Sequence, residues 1–346
     1  MNETGKLHPG SPDTTEHAAA LARRRTVLAG LALAGAGLLP QAQAQAPGTW
    51  PNRPIRIFIP SGAGSGGDIF GRQFAEYLGR ELGQPVIVDN KPGGTGIVAA
   101  EAMVRLPPDG YNLLISFAAA ILGNKAMAAK MQHDPITDLK PVGIIGGDGG
   151  NLLIVSSSVP ANNIKELLDW VKAQGQTVGY GSWGIGSGGH LVMEAILGQA
   201  GIRMNHIPYK TVGQIPQDLL AGVLQVATID SATPVPLIKA GKVRAVATLS
   251  AKRFPLIPEV PTMIEQGYSL EALPWYGLFG QAALPDPIVK RLNELLNRWL
   301  VLPETVQFFA TRQNSQPPVP KSPEEFALQI QRELPAWRKM VKIAGL

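Results

Sequence analysis

Two stretches of this chain are built alike: Gly62-Ala63-Gly64-Ser65-Gly66-Gly67-Asp68 and Gly184-Ile185-Gly186-Ser187-Gly188-Gly189-His190. Each follows a short apolar run and precedes a run with helical spacing. Glycine at such a turn lets the main chain take positive φ and lets a ligand approach the amides with no Cβ in the way. A helix that starts just beyond adds N–H groups without intrahelical acceptors and the positive end of its dipole, so the turn favours an anion. Neither loop holds a lysine or arginine, and an acid gripped between them would be held by amide dipoles. The plainer alternative is a pair of tight strand-to-helix turns.

Catalytic patterns are thinner. Gly62 to Gly67 satisfies G-x-G-x-x-G, and Asp89 closes the next strand about 20 residues on, which is the dinucleotide fingerprint. An exported dinucleotide-binding oxidoreductase using this loop is therefore the alternative function. Against it, Pro60-Ser61 separates the strand from the first glycine, and the same pattern recurs at Gly184. Ser182 and Ser187 lack the glycine two residues earlier that a nucleophile elbow requires, so a triad would have to join His190 or His206 to Asp230. His190 reads more simply as a residue at its helix start, bonding locally. The five histidines show no H-x-H or H-x-x-x-H spacing, and no metal or other cofactor is expected.

The elements that must carry these loops follow from the apolar periodicity. Strand Ile55 to Pro60, helix Phe70 to Leu82, strand Pro85 to Val88, helix Ile97 to Arg105 and strand Tyr111 to Ser116 form a β-α-β-α-β series, which predicts a mostly parallel sheet. Strands Val142 to Ile145 and Leu152 to Val155 flank Gly146-Gly147-Asp148-Gly149-Gly150, a crossing between domains. The pattern then restarts with helix Ile164 to Ala173, strand Val178 to Gly181, helix His190 to Ala200 and strand Asn205 to Ile207. Gln225 to Ile229 and Arg244 to Thr248 are further strands, and Trp275 to Phe279 leads back to the first domain. Helix Pro285 to Leu300 and a capping box at Ser322-Pro323-Glu324-Glu325 open the C-terminal part. Pro335 should kink or end that last helix. The expected class is α/β, with two domains, 45–147 plus 272–346 and 148–271, and a hinge where the chain crosses twice.

Met1 to Ala44 reads as an address. Arg24-Arg25 with Val27-Leu28 resembles a twin-arginine signal, the apolar run ending near Leu39 is too short for a span of about 20 residues, and Ala42-Gln43-Ala44 is an A-x-A cleavage pattern. Export to the periplasm with cleavage near Ala44 is expected. The net charge of +5 is thinly spread, with no Lys/Arg block interleaved with aromatics after residue 44, so no nucleic-acid partner is expected. There is no cysteine, which removes disulfides, thiolate sites and a lipid anchor together.

From Trp50-Pro51-Asn52-Arg53-Pro54 through Asp89-Asn90-Lys91-Pro92-Gly93-Gly94, Pro108-Asp109-Gly110-Tyr111, Tyr180-Gly181-Ser182, His206-Ile207-Pro208-Tyr209-Lys210, Asp218-Leu219-Leu220 and Trp275-Tyr276-Gly277-Leu278, the order and spacing of short pieces resemble the tripartite tricarboxylate transporter substrate-binding receptors, the Bug family. That resemblance implies a type II periplasmic binding protein fold whose cleft closes on a small organic acid, with delivery to the membrane subunits of a tripartite tricarboxylate-type transporter, no catalysis, and a monomer. It also implies ligand-binding roles for Gly64, Ser65, Gly66 and Asp68 in the first loop, Ala118 and Ala119 in a loop after the third strand, Ser182, Gly186 and Ser187 in the second loop, and Asp230 at a strand end. Asp68 has an equal claim as a carboxylate stabilising its own helix start. Trp275 and Tyr276 read as core. Ser61, Ala63 and Ser65 depart from the family pattern, which implies a first loop more polar and flexible than usual, and Thr211 departs from it after Tyr209-Lys210.

Overall fold

A computed structural model describes residues 50–147, 151–175, 178–209, 213–231, 233–268 and 274–346. The signal region, its cleavage site, Asp148 to Gly150 of the crossing, and Lys210 and Thr211 lie outside the described residues. In chain order the elements are β1 (Ile55–Ile59), α1 (Gly66–Leu82), β2 (Val86–Asn90), α2 (Ile97–Val104), β3 (Asn112–Phe117), α3 (Asn124–Ala126), β4 (Leu139–Gly147), β5 (Asn151–Ser156), α4 (Ile164–Ala173), β6 (Gly179–Ser182), α5 (Gly188–Ala200), β7 (Asn205–Pro208), α6 (Gln214–Leu220), β8 (Val226–Asp230), α7 (Val235–Lys239), β9 (Val243–Thr248), β10 (Trp275–Gln281), α8 (Asp286–Leu300), α9 (Pro303–Arg312) and α10 (Pro323–Ile343).

The strands form two five-stranded sheets, ordered β2-β1-β3-β10-β4 and β7-β6-β8-β5-β9. Their senses match position by position. In the first, β1 is parallel to β2 and β3, and β10 is antiparallel to β3 and β4. In the second, β6 is parallel to β7 and β8, and β5 is antiparallel to β8 and β9. The expected mostly parallel sheet is thus a mixed one. The reason is topological: β5 and β10 are the strands by which the chain enters each sheet from the other, so they run away from the inter-lobe end while their neighbours run toward it.

The central strands β1, β3, β10, β5 and β8 are covered on both faces, which is why they read as largely apolar runs. Phe74, Leu78, Leu292, Leu296 and Trp299 cover one face of the first sheet, and Met103, Phe326, Ile330 and Trp337 cover the other. Leu167, Met193 and Ile196 cover one face of the second, with Ile215, Leu219 and Ile257 opposite. Leu191 and Ala195 of α5 lie in the cluster that α10 builds in the first lobe, and a Cβ on Gly198 would stand 2.6 Å from Ile343 Cγ2. Helix α10 therefore packs on both lobes. It also continues past Pro335 to Ile343, so the proline does not end the helix. Ala336, Trp337, Met340 and Val341, all buried beyond the proline, supply about 1.5–3 kcal/mol for each large side chain. Together they outweigh the roughly 3 kcal/mol that an interior proline costs.

Candidate functional site

The two glycine loops occupy equivalent places, each leaving the second strand of its sheet, β1 or β6, at the inter-lobe end. Their internal hydrogen bonds are the same. Ser65 N–H donates to Gly62 O and Ser187 N–H to Gly184 O, both at 3.2 Å. Ser65 and Ser187 are the N-caps, their hydroxyls accepting from Asp68 and His190 N–H. Gly64 and Gly186 take φ of 80° and 73°, the left-handed region that favours glycine. Their amides are turned back onto the helix: Gly64 N–H donates to Asp68 Oδ2 at 2.9 Å and Gly186 N–H to His190 Nδ1 at 3.0 Å.

This pairing gives several of the loop residues structural work. Gly64 and Gly186 shape the turns, with their amides committed. Asp68 is 2% exposed and accepts from Gly64, from Arg72 Nε at 3.0 Å and from Asn90 Nδ2 at 2.8 Å. Burial works against its charge, yet Arg72, the Gly64 amide and Asn90 outweigh it and hold the carboxyl below its ordinary value. Asp68 thus organises its own loop. Ser61 Oγ and Ser65 Oγ share a hydrogen bond of 2.7 Å, so the extra polarity of this loop is spent internally. Among the amides of each loop, those of the first two helical residues, Gly66 and Gly67 or Gly188 and Gly189, have no intrahelical acceptor.

The second loop is the more buried and is neutral. Ser182 and Ser187 are fully buried, and Ser182 Oγ lies 2.7 Å from His206 Nε2 and 3.3 Å from Ser187 Oγ. The His190 and His206 rings stack at 3.8 Å with Tyr180 beside them. Burial lowers both histidines to about 4, and for His206 the nearness of His190 adds to the effect. Both rings are neutral near pH 7, so His190 Nδ1 can accept the Gly186 amide. Where the first loop uses a paired carboxylate, the second uses an uncharged imidazole. His190 is the local partner that its position in the sequence suggested.

Ala118 and Ala119 do not form an open loop. They begin a wide helical turn, Ala119–Gly123, that continues into α3, and they are 1% and 3% exposed in the core. Asp230 ends β8 at the inter-lobe face, where it accepts the Thr233 amide at 2.8 Å. Its carboxylate, after burial, is the second cause that pushes the Tyr276 phenol up to about 12.

The structure adds residues that sequence reasoning missed. Tyr276, read as core, does pack against the core beside Phe70 and Phe117, and its ring would also stand 3.1 Å from a Cβ on Gly67. Trp275 is core, 2% exposed and bonded to Glu333; the alternation along β10 puts its neighbour on the other side. Gln313, just past α9, brings Oε1 to 3.4 Å from the Cβ position of Gly66. Its carbonyl accepts from Ser231 Oγ at 2.9 Å, while Asn314 donates to Ser231 O and accepts from Leu256 N–H. On the second loop, Thr95 Oγ1 donates to Ile185 O at 3.3 Å, and Met127 Cε would stand 2.6 Å from a Cβ on Gly186. Both loops thus border the meeting face of the lobes.

The dinucleotide reading fails at the same atoms. A pyrophosphate on the first loop would meet the ionised Asp68 on the amide it needs, and Asp89, the expected ribose partner, faces Lys91 at 3.4 Å and Arg56 at 3.9 Å.

Comparison with known proteins agrees with this geometry. The family model for the tripartite tricarboxylate transporter family receptor matches residues 70–346. Protein BugT of Bordetella pertussis is 30% identical over 324 residues, covering 93% of this chain and 98% of BugT. Among solved structures, an R. palustris protein with adipate is 29% identical with a TM-score of 0.77, covering 86% of this chain and 98% of its own. The periplasmic binding protein BugD is 28% identical with a TM-score of 0.74, covering 86% and 99%.

Proposed function

The chain belongs to the tripartite tricarboxylate transporter receptor family, and from that premise we propose that it captures a small organic acid between its lobes and presents the closed form to the membrane subunits of a tripartite tricarboxylate-type transporter. The family is one of periplasmic solute-binding proteins, not of enzymes. One observation carries the reading: two matched loops, one per sheet, each offer two uncommitted helix-start amides at the inter-lobe face. Such amides suit a carboxylate without a formal cation. That a relative 29% identical was solved with adipate supports the choice of acid.

In this reading the lobes are 45–147 plus 272–346 and 148–271, Met1 to Ala44 is an export signal cut near Ala44, and the receptor is a monomer. Gly66 and Ser65 on one side, the Gly188 and Gly189 amides on the other, and Asp230 at the face line the acid, while Gly64, Asp68, Ser182, Gly186 and Ser187 hold the loops in shape around it. Ala118 and Ala119 back the site from the core. An acid that bridges both lobes binds the closed form better than the open one, and that difference drives closure.

A melting screen of the protein from residue 45 onward, at about pH 7.5, tests this with adipate, succinate, malate, citrate and a nicotinamide dinucleotide. An acid at 100 times its Kd stabilises by about 2.7 kcal/mol, a shift of several degrees. No shift above about 1 °C with any acid, or a shift with the dinucleotide alone, would overturn the proposal.

A further inference from the structure

We propose that Asn151 holds the acid directly, its side-chain amide donating to a carboxylate oxygen at the start of α5; this deepens the receptor reading above and rests on it. Asn151 opens β5, just after the crossing between lobes. Its main chain is pinned from both sides: it stands opposite Asp230 in the β5–β8 ladder, and its carbonyl accepts the Leu249 N–H, just past β9, at 2.7 Å. The side chain therefore rises from a fixed point at the inter-lobe end of the second sheet. Asn151 is 6% exposed, so its amide has lost most of its water, yet that amide has no hydrogen-bond partner among the described residues. It is not sealed off, since the unpartnered polar atoms shut away from solvent include none of Asn151.

The nitrogen is the end of the amide that faces the helix. Asn151 Nδ2 stands 3.6 Å from the Cβ position of Gly188, and apart from the adjoining main chain no other atom comes within 4 Å of that position. The Gly188 N–H lies two bonds from it, at the first residue of α5, and has no intrahelical acceptor. Two donors thus border one small space that the described residues leave open. Neither can satisfy the other, and a largely buried amide donor left unpaired is costly. An acceptor from outside the chain answers both. A carboxylate oxygen is the acceptor that suits, because the helix start favours negative charge and the neighbouring His190 and His206 rings are neutral near pH 7. Asp230, opposite in the ladder, is engaged by the Thr233 amide. The second loop has no lysine or arginine, so the neutral amide of Asn151 supplies the side-chain donor that the loop itself lacks.

Titration calorimetry at about pH 7.5, with adipate and with the acid that gives the largest melting shift, compares the parent with Asn151→Ala, Asn151→Asp and Gly188→Ala. Asn151→Ala deletes the donor but no side-chain hydrogen bond of the fold. It is expected to bind about 10- to 100-fold more weakly, the worth of a hydrogen bond to a charged group, with an unliganded Tm within about 2 °C of the parent. Asn151→Asp keeps the shape and sets a like charge against the acid, so it should bind more weakly than Asn151→Ala. Gly188→Ala places a methyl group in the shared space at an ordinary contact distance. It should melt no lower than the parent, because alanine narrows the unfolded ensemble, and bind at least about 10-fold more weakly. Binding by either alanine variant within about threefold of the parent, or binding by Asn151→Asp as tight as by Asn151→Ala, would overturn the inference. Should Asn151→Ala lose Tm and affinity together, Gly188→Ala decides: weakened binding at an undiminished Tm upholds the shared space, and parent-like binding ends it. Absence of binding by the parent would overturn the receptor reading itself, and this inference with it.

Discussion

Protonating the imidazole pair behind the second loop should loosen the fold in a pH window set by burial. His190 and His206 are held at about 4 against an ordinary 6.5. A depressed histidine means that the unfolded chain takes the proton first, so between these values the unfolded state binds more protons. The stability is full above pH 6.5 and is lost as the pH falls toward 4. At 1.36 kcal/mol per pH unit the full effect is about 3 kcal/mol for one ring, of which roughly 2 kcal/mol is gone by about pH 4.5. The groups that face the pair are Tyr180, whose phenol is raised by burial and by its bond to Glu194, and the neutral Ser182 and Ser187. The perturbation is His190→Gln, which keeps an acceptor for the Gly186 amide and removes the titration. Urea unfolding at about pH 7 and about pH 4.5, followed by tryptophan fluorescence, gives the stability of each protein. The parent should lose about 2 kcal/mol more than the variant across that interval. Contributions from His133, Asp68 and the remaining carboxylates are common to both and cancel. Equal losses would refute the claim that His190 is buried neutral to receive the Gly186 amide.

The first loop answers to a different substitution. Asp68→Asn removes the charge that Arg72, Asn90 and Gly64 satisfy and should cost about 1–3 kcal/mol, nearer the lower figure because Arg72 is half exposed; a urea-measured loss below about 0.5 kcal/mol would show that the network is decorative. Because the Asp68 carboxyl is held below its ordinary 3.8, its contribution is present above that pH and disappears as the pH falls through the lowered value. Gly186→Ala forces a side chain into φ 73° and against Met127, so it should destabilise the loop by about 1–2 kcal/mol. Adding Met127→Ala should relieve the contact and not the backbone strain, so a complete return of the melting temperature in the double variant would contradict the conformational argument.

The two loops were legible because their types and spacing repeat, and because small, flexible residues between a strand and a helix leave few other conformations. Most elements were legible too: helix Ile164–Ala173 falls where its spacing puts it, since an amphipathic stripe and the Asn163 cap are local signals. The mixed sense of the sheets was not. Strand direction depends on where the chain crosses between lobes, and no local pattern records it. Pro335 does not end its helix for a related reason, as a local penalty lost to burial against residues far away in the chain.

Residue chemistry by itself therefore determined the character of the two loops: glycine turns, helix-start amides, no lysine or arginine within either, and an α/β frame to hold them. Only the tertiary structure decided which amides are spent, that Asp68 and His190 close their own loops, and that Tyr276, Gln313, Thr95 and Met127 arrive at the same face. Turn chemistry acts over four or five residues and is written in the local sequence. A hydrogen bond between Ser231 and Gln313 joins positions far apart in the chain, and it exists because two sheets pack through a shared helix.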